Sequence, residues 1–354
     1  MSRYDAFLLV SFGGPESRGD VIPFLENVTR GRGVPRERLE QVAEHYYRFG
    51  GVSPINAQCR DLLAAVEKDF AASGIDLPVY WGNRNWNPML TDTVAAMAAD
   101  GRQHAIAFVT SAYSSYSSCR QYLENIEQAR AEVGPRAPQI DKLRPYFNHP
   151  GFVEPLADAV RRAAETLPPS VMDDFDVVFT AHSIPEAMAA ASGPAGGAYP
   201  RQLAEASRLV AERAGRGRSW RLAYQSRSGP PSVPWLGPDV NDCLAELAGS
   251  GSAAVVLVPV GFVSDHMEVV YDLDTEALQT AERLGLDAVR VPTPGTDPRF
   301  VAMVRDLLVE RAAVERGEAV DRAAVGGDPA GWDVCASGCC PNPRGPRPAL
   351  GGLG

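Results

Sequence analysis

The sequence predicts a doubly wound α/β fold that is divided into two domains. Apolar runs rich in β-branched residues alternate along the chain with amphipathic stretches of helical period. Most of these runs are apolar throughout rather than alternating, which is typical of strands buried on both faces of a parallel sheet. The 354 residues exceed one average domain, so two domains are expected.

The two patterns place the elements in order along the chain. Strands are expected at residues 6–12, 77–83, 104–112, 175–183, 220–226, 253–261 and 287–292. Helices are expected at residues 19–28, 36–48, 54–73, 89–100, 117–133, 150–166, 199–214, 239–249, 267–284 and 297–315.

A proline-rich stretch at 134–150 breaks the alternation and indicates a domain boundary. The expected domains are therefore residues 1–148 and 149–296, followed by a helix at 297–316. The tail at 317–354 contains cysteines, is rich in Gly and Pro and has almost no periodic pattern. We expect it to be mostly irregular unless other parts of the chain hold it.

Composition and charge exclude several classes of protein. Hydrophobic residues make up 45% of the chain and charged residues 22%, as in an ordinary soluble globular protein. The formal net charge of −10 argues against a nucleic-acid partner. The longest apolar run, at 252–263, is too short to span a bilayer, so no transmembrane segment is expected. The first residues form a strand pattern rather than a signal peptide, which predicts a cytoplasmic protein whose cysteines do not form a disulfide framework.

Two adjacent strand ends carry candidate metal-binding or catalytic side chains. Ligands of open parallel sheets bind outside the carboxyl ends of the strands, and His182 ends the strand in VVFTAHSIP. In GFVSDHMEVVYDLDTEA, Glu268, Asp272 and Glu276 are spaced to share one helix face. That face is either a solvated acidic surface or a set of metal ligands. His182 and Glu268 together form a mixed nitrogen and oxygen site of the kind that suits Fe²⁺, while His266 is either a supporting or a structural residue.

Other candidate ligand-binding residues follow the first strand and precede the second half. Arg30 and Arg32 could clamp carboxylates, and the same region supplies the hydrogen-bonding groups of His45, Tyr46 and Ser53. The alternative is that the arginines are surface charges or part of a phosphate-binding loop, although the glycine fingerprints of nucleotide sites are absent. Trp235, in an extended Pro/Gly loop, is either a structural corner or an aromatic wall for a flat ligand. Cys335, Cys339 and Cys340 are read as metal or iron–sulfur ligands, redox-active thiols or free thiols.

These motifs together resemble the ferrochelatases, which insert ferrous iron into a porphyrin. The resemblance covers about residues 4–315 and includes VVFTAHSIP, GFVSDHMEVVYDLDTEA, GGVSP, the hydroxyl-rich loop that runs through Tyr122, and YQSRSGP with the following PWLGP. It implies two Rossmann-like domains that face a cleft, with the helix at 297–316 returning to the first domain. It also implies transient contact with neighbouring heme-pathway enzymes.

The resemblance assigns roles to particular residues. It implies that His182 and Glu268 form the iron site, with His182 as the last protein ligand or the proton acceptor. It also implies that Ser53 and Tyr122 contact the porphyrin, while Arg30, His45 and Tyr46 line its carboxylate side. Asp272 and Glu276 would form an outer path for iron or protons. Phe12 stands where some relatives carry a tyrosine that reaches the metal, so here it can only pack on the macrocycle.

The tail resembles that of actinobacterial members, in which C-terminal cysteines help to hold a [2Fe–2S] cluster. Cys335, Cys339 and Cys340 are then candidate ligands, and such relatives take a further cysteine from the start of the second domain. The matching stretch at 149–160 has no cysteine. The fourth ligand is therefore open among Cys59, Cys119, Cys243, a non-cysteine group or no cluster at all.

The likeness to Gram-positive members implies that the substrates are Fe²⁺ and coproporphyrin III, with coproheme as the product for heme b synthesis. The alternatives are a protoporphyrin IX ferrochelatase, a cobalt or nickel chelatase of a related tetrapyrrole, and a non-enzymatic metal- or heme-binding protein. A nucleotide-dependent enzyme is the weakest alternative because the glycine fingerprints are missing.

Overall fold

The computed structural model describes residues 3–217 and 219–352. Its framework is two four-stranded, entirely parallel sheets with the strand orders β2-β1-β3-β4 and β6-β5-β7-β8. The strands are β1 (Ala6–Ser11), β2 (Val79–Asn83), β3 (His104–Val109), β4 (Gln139–Lys142), β5 (Asp176–His182), β6 (Trp220–Gln225), β7 (Ala254–Val258) and β8 (Asp287–Arg290). The doubly wound α/β prediction is therefore confirmed, and the two halves repeat one topology.

Helices cover both sheets and connect the strands. They are α1 (Val21–Val28), α2 (Arg36–Tyr47), α3 (Ile55–Ala72), α4 (Leu90–Ala99), α5 (Gln121–Val133), α6 (Pro150–Ala164), α7 (Glu186–Ala190), α8 (Ala198–Ala214), α9 (Val240–Gly249), α10 (Met267–Tyr271), α11 (Leu278–Leu284) and α12 (Pro298–Glu315). Within the residues that the structure describes, no helix combines the length and apolar character needed to cross a membrane.

The central strands are buried because helices pack on both of their faces. All residues of β1 and β7 are buried, which explains why their sequences are apolar without alternation. One large cluster of buried side chains joins the two halves, and its members include Phe7, Phe108, Phe152, Phe179 and Phe300. Helix α12 packs against α3 of the first half and α6 of the second. The last helix thus contacts both halves, and its assignment as a return to the first domain stays a prediction.

The structure differs from the sequence prediction at several elements. Strand β4 lies inside the proline-rich stretch that we predicted to be a break, and it is too short and polar to show a strand pattern. Two segments predicted as regular helix contain π-helical turns, at Tyr116–Arg120 and Asp272–Ala277. Such turns occur frequently at functional sites. The boundary between residues 148 and 149 stays a prediction.

The predicted tail is largely irregular but is held against the rest of the chain. Ala349 and Leu350 are buried in a cluster with Tyr122 and Leu123 of α5, and the backbone N–H of Val325 donates to Asn148 O. The ends of the predicted N-terminal domain and of the tail, residues 1–2 and 353–354, lie outside the described residues.

Gly261 brings the segment after β7 against the end of β5. Its N–H donates to Thr180 O over 3.0 Å, and a Cβ at this position would lie 2.6 Å from Ala181 Cβ and 2.7 Å from Ala181 Cα. Because one of these neighbours is backbone, the chain cannot relieve the overlap by rotating a side chain. Only glycine therefore allows the two strand ends to lie this close.

We expect Gly261→Ala to lower the free energy of unfolding by about 1–3 kcal/mol, since the added methyl group forces the backbone apart. The matched control is Gly249→Ala at the end of α9, where a Cβ meets nothing within 4 Å and the change should be neutral or stabilising. Urea unfolding of both variants measures the difference. Equal stability of the two variants would contradict the close approach.

Candidate active site

His182 is the last residue of β5, and hydrogen bonds fix its ring and backbone. Its Nδ1 is hydrogen-bonded to the carbonyl of Ser183, and Tyr199 Oη donates to His182 O over 2.9 Å. A carbonyl only accepts hydrogen bonds, so Nδ1 carries the proton in the neutral ring. The lone pair of a neutral His182 therefore lies on Nε2.

Glu268 faces that nitrogen from the first turn of α10. Its Oε2 lies 3.6 Å from His182 Nε2, and about half of the Glu268 side chain and a third of the His182 side chain are exposed. His266 is the N-cap of α10, where its Nδ1 accepts from Glu268 N over 3.1 Å. The Nε2 of His266 lies 3.9 Å from the same Glu268 oxygen. His266 thus supports the helix end that carries Glu268.

The facing atoms of His182 and Glu268 both carry lone pairs. Two such acceptors attract each other only when a proton or a metal ion lies between them. Two ligands bonded at about 2.1 Å to one tetrahedral ion are about 3.4 Å apart, close to the observed 3.6 Å. The pair can therefore hold either a proton or a divalent ion.

Asp272 lies one turn beyond Glu268 and is hydrogen-bonded to the end of β6. It accepts from Ser226 Oγ and from Gln225 Nε2, and Gln225 also donates to Glu268 O over 2.9 Å. The pKa of Asp272 is raised to about 7: burial raises it most, the nearby charges of Glu268 and Glu276 add to this, and the hydrogen bonds from Ser226 and Gln225 act in the opposite direction. The Asp272 carboxyl group can consequently gain and lose a proton near neutral pH.

Glu276 lies further along the same helical run and is exposed. It is hydrogen-bonded to Tyr271, and partial burial of its carboxyl group, followed by the charge of Asp239, raises its pKa. The π-helical turn Asp272–Ala277 carries both carboxylates. The structure thus places Glu268, Asp272 and Glu276 along one helical run, while their role as a path stays a prediction.

Side chains of α2 approach Glu268 from the first half of the chain. The His45 ring stacks on Tyr271 with centroids 3.8 Å apart, and the pKa of His45 is lowered by burial and by Arg48. Tyr46 is buried in a cluster with Phe24, Met267 and Tyr271. Burial and the charges of Glu268 and Asp272 raise the pKa of Tyr46, so its hydroxyl stays protonated near this acidic group.

The loops after β1 and β2, the loop between α2 and α3 and the start of α5 form the other side of this region. Phe12 packs edge-on against Phe24 with centroids 6.3 Å apart. The guanidinium of Arg84 lies 4.5 Å from the centroid of the Tyr122 ring and 5.7 Å from that of Phe12. Ser53 is buried and its N–H donates to Pro15 O over 2.8 Å. We call the space between these loops and the ends of β5 and β7 the cleft.

The arginines of the turn after α1 differ in their surroundings. Arg30 is exposed and hydrogen-bonds Asn27. Arg32 is exposed as well, and partial burial, followed by the positive charges of Arg344 and Arg84, lowers its pKa. The charge of Glu268 raises the pKa of Arg32 against these effects.

Trp235 lies in the loop after β6, which is bonded to the segment after β5. Leu236 N donates to Ile184 O over 3.0 Å, and Ser183 Oγ donates to Leu236 O over 2.7 Å. The indole packs on Gly229, where a Cβ would lie 2.4 Å from Trp235 Nε1. This packing agrees with the structural-corner alternative, and the aromatic-wall role stays a prediction.

Four cysteine side chains adjoin one another beside α5. Cys335 is hydrogen-bonded to Cys119 and Cys339, and the Sγ atoms of Cys339 and Cys340 are 3.8 Å apart. Cys340 Sγ also accepts from Gly193 N over 3.1 Å. The hydrogen bond to Cys335 and burial raise the pKa of Cys119, whereas hydrogen bonds from Cys119 and Cys339 lower that of Cys335. Among the described residues, no three His, Cys, Asp or Glu side chains are grouped to hold a single metal ion.

Sequence reasoning missed two features of this region. It did not place Cys119 beside the tail, because that contact depends on how the irregular tail folds back on α5. It also overlooked Arg84, although this residue directly follows β2 and the strand-end rule could have found it.

Comparisons with known proteins agree with the fold and the motifs. The family model described as ferrochelatase matches residues 4–312. A protein of Streptomyces coelicolor named coproporphyrin III ferrochelatase is 57% identical, over 99% of this chain and 96% of its own length. A protein of the same name from Nocardia farcinica is 55% identical, over 98% of this chain and 99% of its own. The solved structure of SirB from Bacillus subtilis with Fe³⁺ has a TM-score of 0.52 and 14% identity, and covers 88% of this chain and 97% of its own, which shows a shared fold.

The raised pKa of Asp272 predicts how stability depends on pH. The folded-state pKa of about 7 lies above the unfolded value of about 4, so the folded protein keeps a proton that the unfolded chain has lost. The contribution of Asp272 to the free energy of unfolding is therefore present at low pH and is lost as the pH rises through 7.

We expect Asp272→Asn to remove the pH-dependent loss of stability that the buried carboxyl group causes. Relative to wild type, the variant should gain stability between pH values of about 4 and 7, by at most about 4 kcal/mol, with no further gain above that range. Urea unfolding across this pH range measures the difference. A difference that does not vary with pH would contradict the buried carboxyl group.

Proposed function

The chain belongs to the ferrochelatase family, and from this we propose that it inserts Fe²⁺ into coproporphyrin III to give coproheme for heme b synthesis. The names of its actinobacterial relatives support coproporphyrin III as the porphyrin. The reaction exchanges two pyrrole N–H protons for one ferrous ion, so the site must present metal ligands and remove protons. We also propose that residues 1–148 and 149–296 act as the two domains that face the cleft.

The observation that carries the proposal is the pair of facing acceptors, His182 Nε2 and Glu268 Oε2, 3.6 Å apart. A neutral imidazole and a carboxylate provide the mixed donor set that suits Fe²⁺. The same two groups accept protons when no metal is bound. His182 therefore acts either as the last ligand that releases iron to the porphyrin or as the acceptor of a pyrrole proton.

Asp272 and Glu276 are proposed to extend this site outward. Asp272 is suited to proton transfer because its pKa of about 7 lets both of its protonation states exist at neutral pH. Glu276 is exposed and lies beyond it. Protons would leave, or iron would enter, along the sequence Glu268, Asp272, Glu276.

The opposite side of the cleft is proposed to hold the macrocycle. The guanidinium of Arg84 lies over the rings of Phe12 and Tyr122. Phe12 is half-buried, and the buried Tyr122 and Ser53 are proposed to contact the porphyrin from the same side. Arg30, His45 and Tyr46 are proposed to line the carboxylate side of the porphyrin, and Trp235 to close its other edge. Phe12 has no ligand atom, so iron receives no axial ligand from that residue.

A [2Fe–2S] cluster is proposed to be held by Cys119, Cys335, Cys339 and Cys340. Such a cluster takes two cysteine sulfurs on each iron, so it does not need three protein ligands around one ion. The mutual contacts of the four sulfurs support this donor set, and Cys119 supplies the ligand that the sequence left open. The bound cluster would cross-link the tail to the turn before α5.

We expect His182→Ala and Glu268→Gln each to lower the rate of iron insertion by at least about 100-fold, because each removes a metal ligand or a proton acceptor. Porphyrin binding, measured separately by fluorescence quenching, should change little. The assay is anaerobic formation of coproheme from Fe²⁺ and coproporphyrin III. Near-normal turnover in both variants would refute the site assignment.

Purified wild-type protein should show the visible absorption of a [2Fe–2S] cluster, and Cys119→Ser should lose it because one iron loses a ligand. Cys243→Ser is the matched control, since this buried thiol lies on α9 and should leave the spectrum unchanged. Anaerobic purification with iron and sulfide analysis checks the assignment. A colourless, iron-free wild-type protein would rule out the cluster.

A further inference from the structure

Arg290, the last residue of β8, bonds the acidic segment after β7 at two points. Its Nη1 donates to Asp265 Oδ1 over 3.1 Å. Its Nη2 donates to Asp274 Oδ2 over 2.7 Å, and its Nε donates to Asp274 Oδ1. Asp265 precedes α10, and Asp274 lies in the π-helical turn that follows α10. One guanidinium therefore connects both ends of the stretch that carries Glu268.

The three charged side chains of this network are shielded from water. The side chains of Arg290 and Asp265 are each 14% exposed, and that of Asp274 is 31% exposed. The contact with Asp274 is bidentate, so it fixes the direction of the carboxylate as well as its distance. Ion pairs on an open surface contribute little, but removal of one member of a shielded network leaves the others unpaired. Loss of Arg290 would leave two carboxylates without their cation.

Asp265 also connects this stretch to the first half of the chain. Its N–H donates to Gln58 Oε1 over 2.8 Å, and Gln58 Nε2 donates to Asp265 Oδ2 over 3.4 Å. Gln58 lies in the first turn of α3, directly after the loop that carries Ser53. The start of α10 is thus held by Gln58 from the first half and by Arg290 from the second sheet.

The π-helical turn explains why the second contact of Arg290 matters for direction. A π-helical turn holds more residues than an α-helical turn, and one added residue rotates the side chains before it relative to those after it by roughly 100°. Relaxation of the turn to a regular α-helix would therefore change the direction of Glu268 relative to Glu276. The bidentate bond to Asp274, inside the turn, resists this change.

We propose that Arg290 is a positioning residue for the metal site, because its bonds to Asp265 and Asp274 keep the Glu268 carboxylate directed at His182 Nε2. This inference rests on the proposed function, since it treats His182 and Glu268 as ligands of one ion. Arg290 acts only through the two aspartates, so its loss should weaken metal binding without removing a ligand.

The test is the dissociation constant of Co²⁺, measured on the full chain through the part of the visible absorption that His182→Ala abolishes. Arg290→Gln should raise this constant about tenfold, at the lower end of what partners outside the ligand set contribute to metal affinity. Asp274→Asn should raise it comparably, and it leaves the bond between Arg290 and Asp265 in place. The double variant should bind Co²⁺ little more weakly than either single variant, because both changes break the same contact.

Two controls separate positioning from general stability. Arg305 on α12 likewise bonds two carboxylates, those of Asp69 and Asp306, each at 3.0 Å, and Asp69 lies about three turns along α3 from Gln58. Arg305→Gln should lower the midpoint of urea unfolding, as Arg290→Gln also should, but it should bind Co²⁺ like wild type. The dissociation constant of metal-free coproporphyrin III, measured by fluorescence quenching, should be unchanged in all of these variants.

Equal Co²⁺ affinity in Arg290→Gln and Arg305→Gln would overturn the proposal, because the network would then serve stability alone. Fully additive effects in the double variant would overturn it as well. A loss of coproporphyrin III affinity as large as the loss of Co²⁺ affinity would have the same consequence, since it would indicate a general loosening of the cleft. A wild-type protein without any His182-dependent Co²⁺ absorption would instead refute the proposed metal site, and this inference with it.

Discussion

The contact between Gly261 and the end of β5 determines where the two candidate metal ligands meet. Without a Cβ at Gly261, the chain after β7 passes over Ala181 and returns its N–H to Thr180 O. α10 then begins beside the last residue of β5, so Glu268 faces His182. The order of the second sheet places β7 next to β5. The contact at Gly261 then brings the side chains that follow the two strands to face each other.

A hydrogen bond orients the His182 ring, another fixes the start of the helix that carries Glu268, and both leave the reactive atoms free. Ser183 O holds the Nδ1 proton of His182, and His266 caps the helix that carries Glu268. His182 Nε2 and the Glu268 carboxylate are both hydrogen-bond acceptors and do not attract each other, so a cation must lie between them. A site that needs a cation and also accepts protons is suited to a reaction in which a metal ion replaces two protons.

Much of the fold and of the metal-binding candidates could be predicted because both depend on local pattern. Continuous apolar runs identify buried parallel strands, and the strand-end rule then selects His182 and Glu268. The short polar strand β4 and the π-helical turns carry no comparable pattern. Contacts of the tail, such as Cys119 with Cys335, depend on how an irregular segment packs, and spacing along the sequence does not encode that packing.

The central claim is that His182 and Glu268 hold the ferrous ion together. Anomalous diffraction at the iron edge, from crystals soaked anaerobically with Fe²⁺, tests it most directly. The account predicts a peak bonded to both His182 Nε2 and a Glu268 carboxylate oxygen, each at about 2.0–2.2 Å. A peak bound only to Asp272 and Glu276, or elsewhere in the molecule with none between His182 and Glu268, would contradict it.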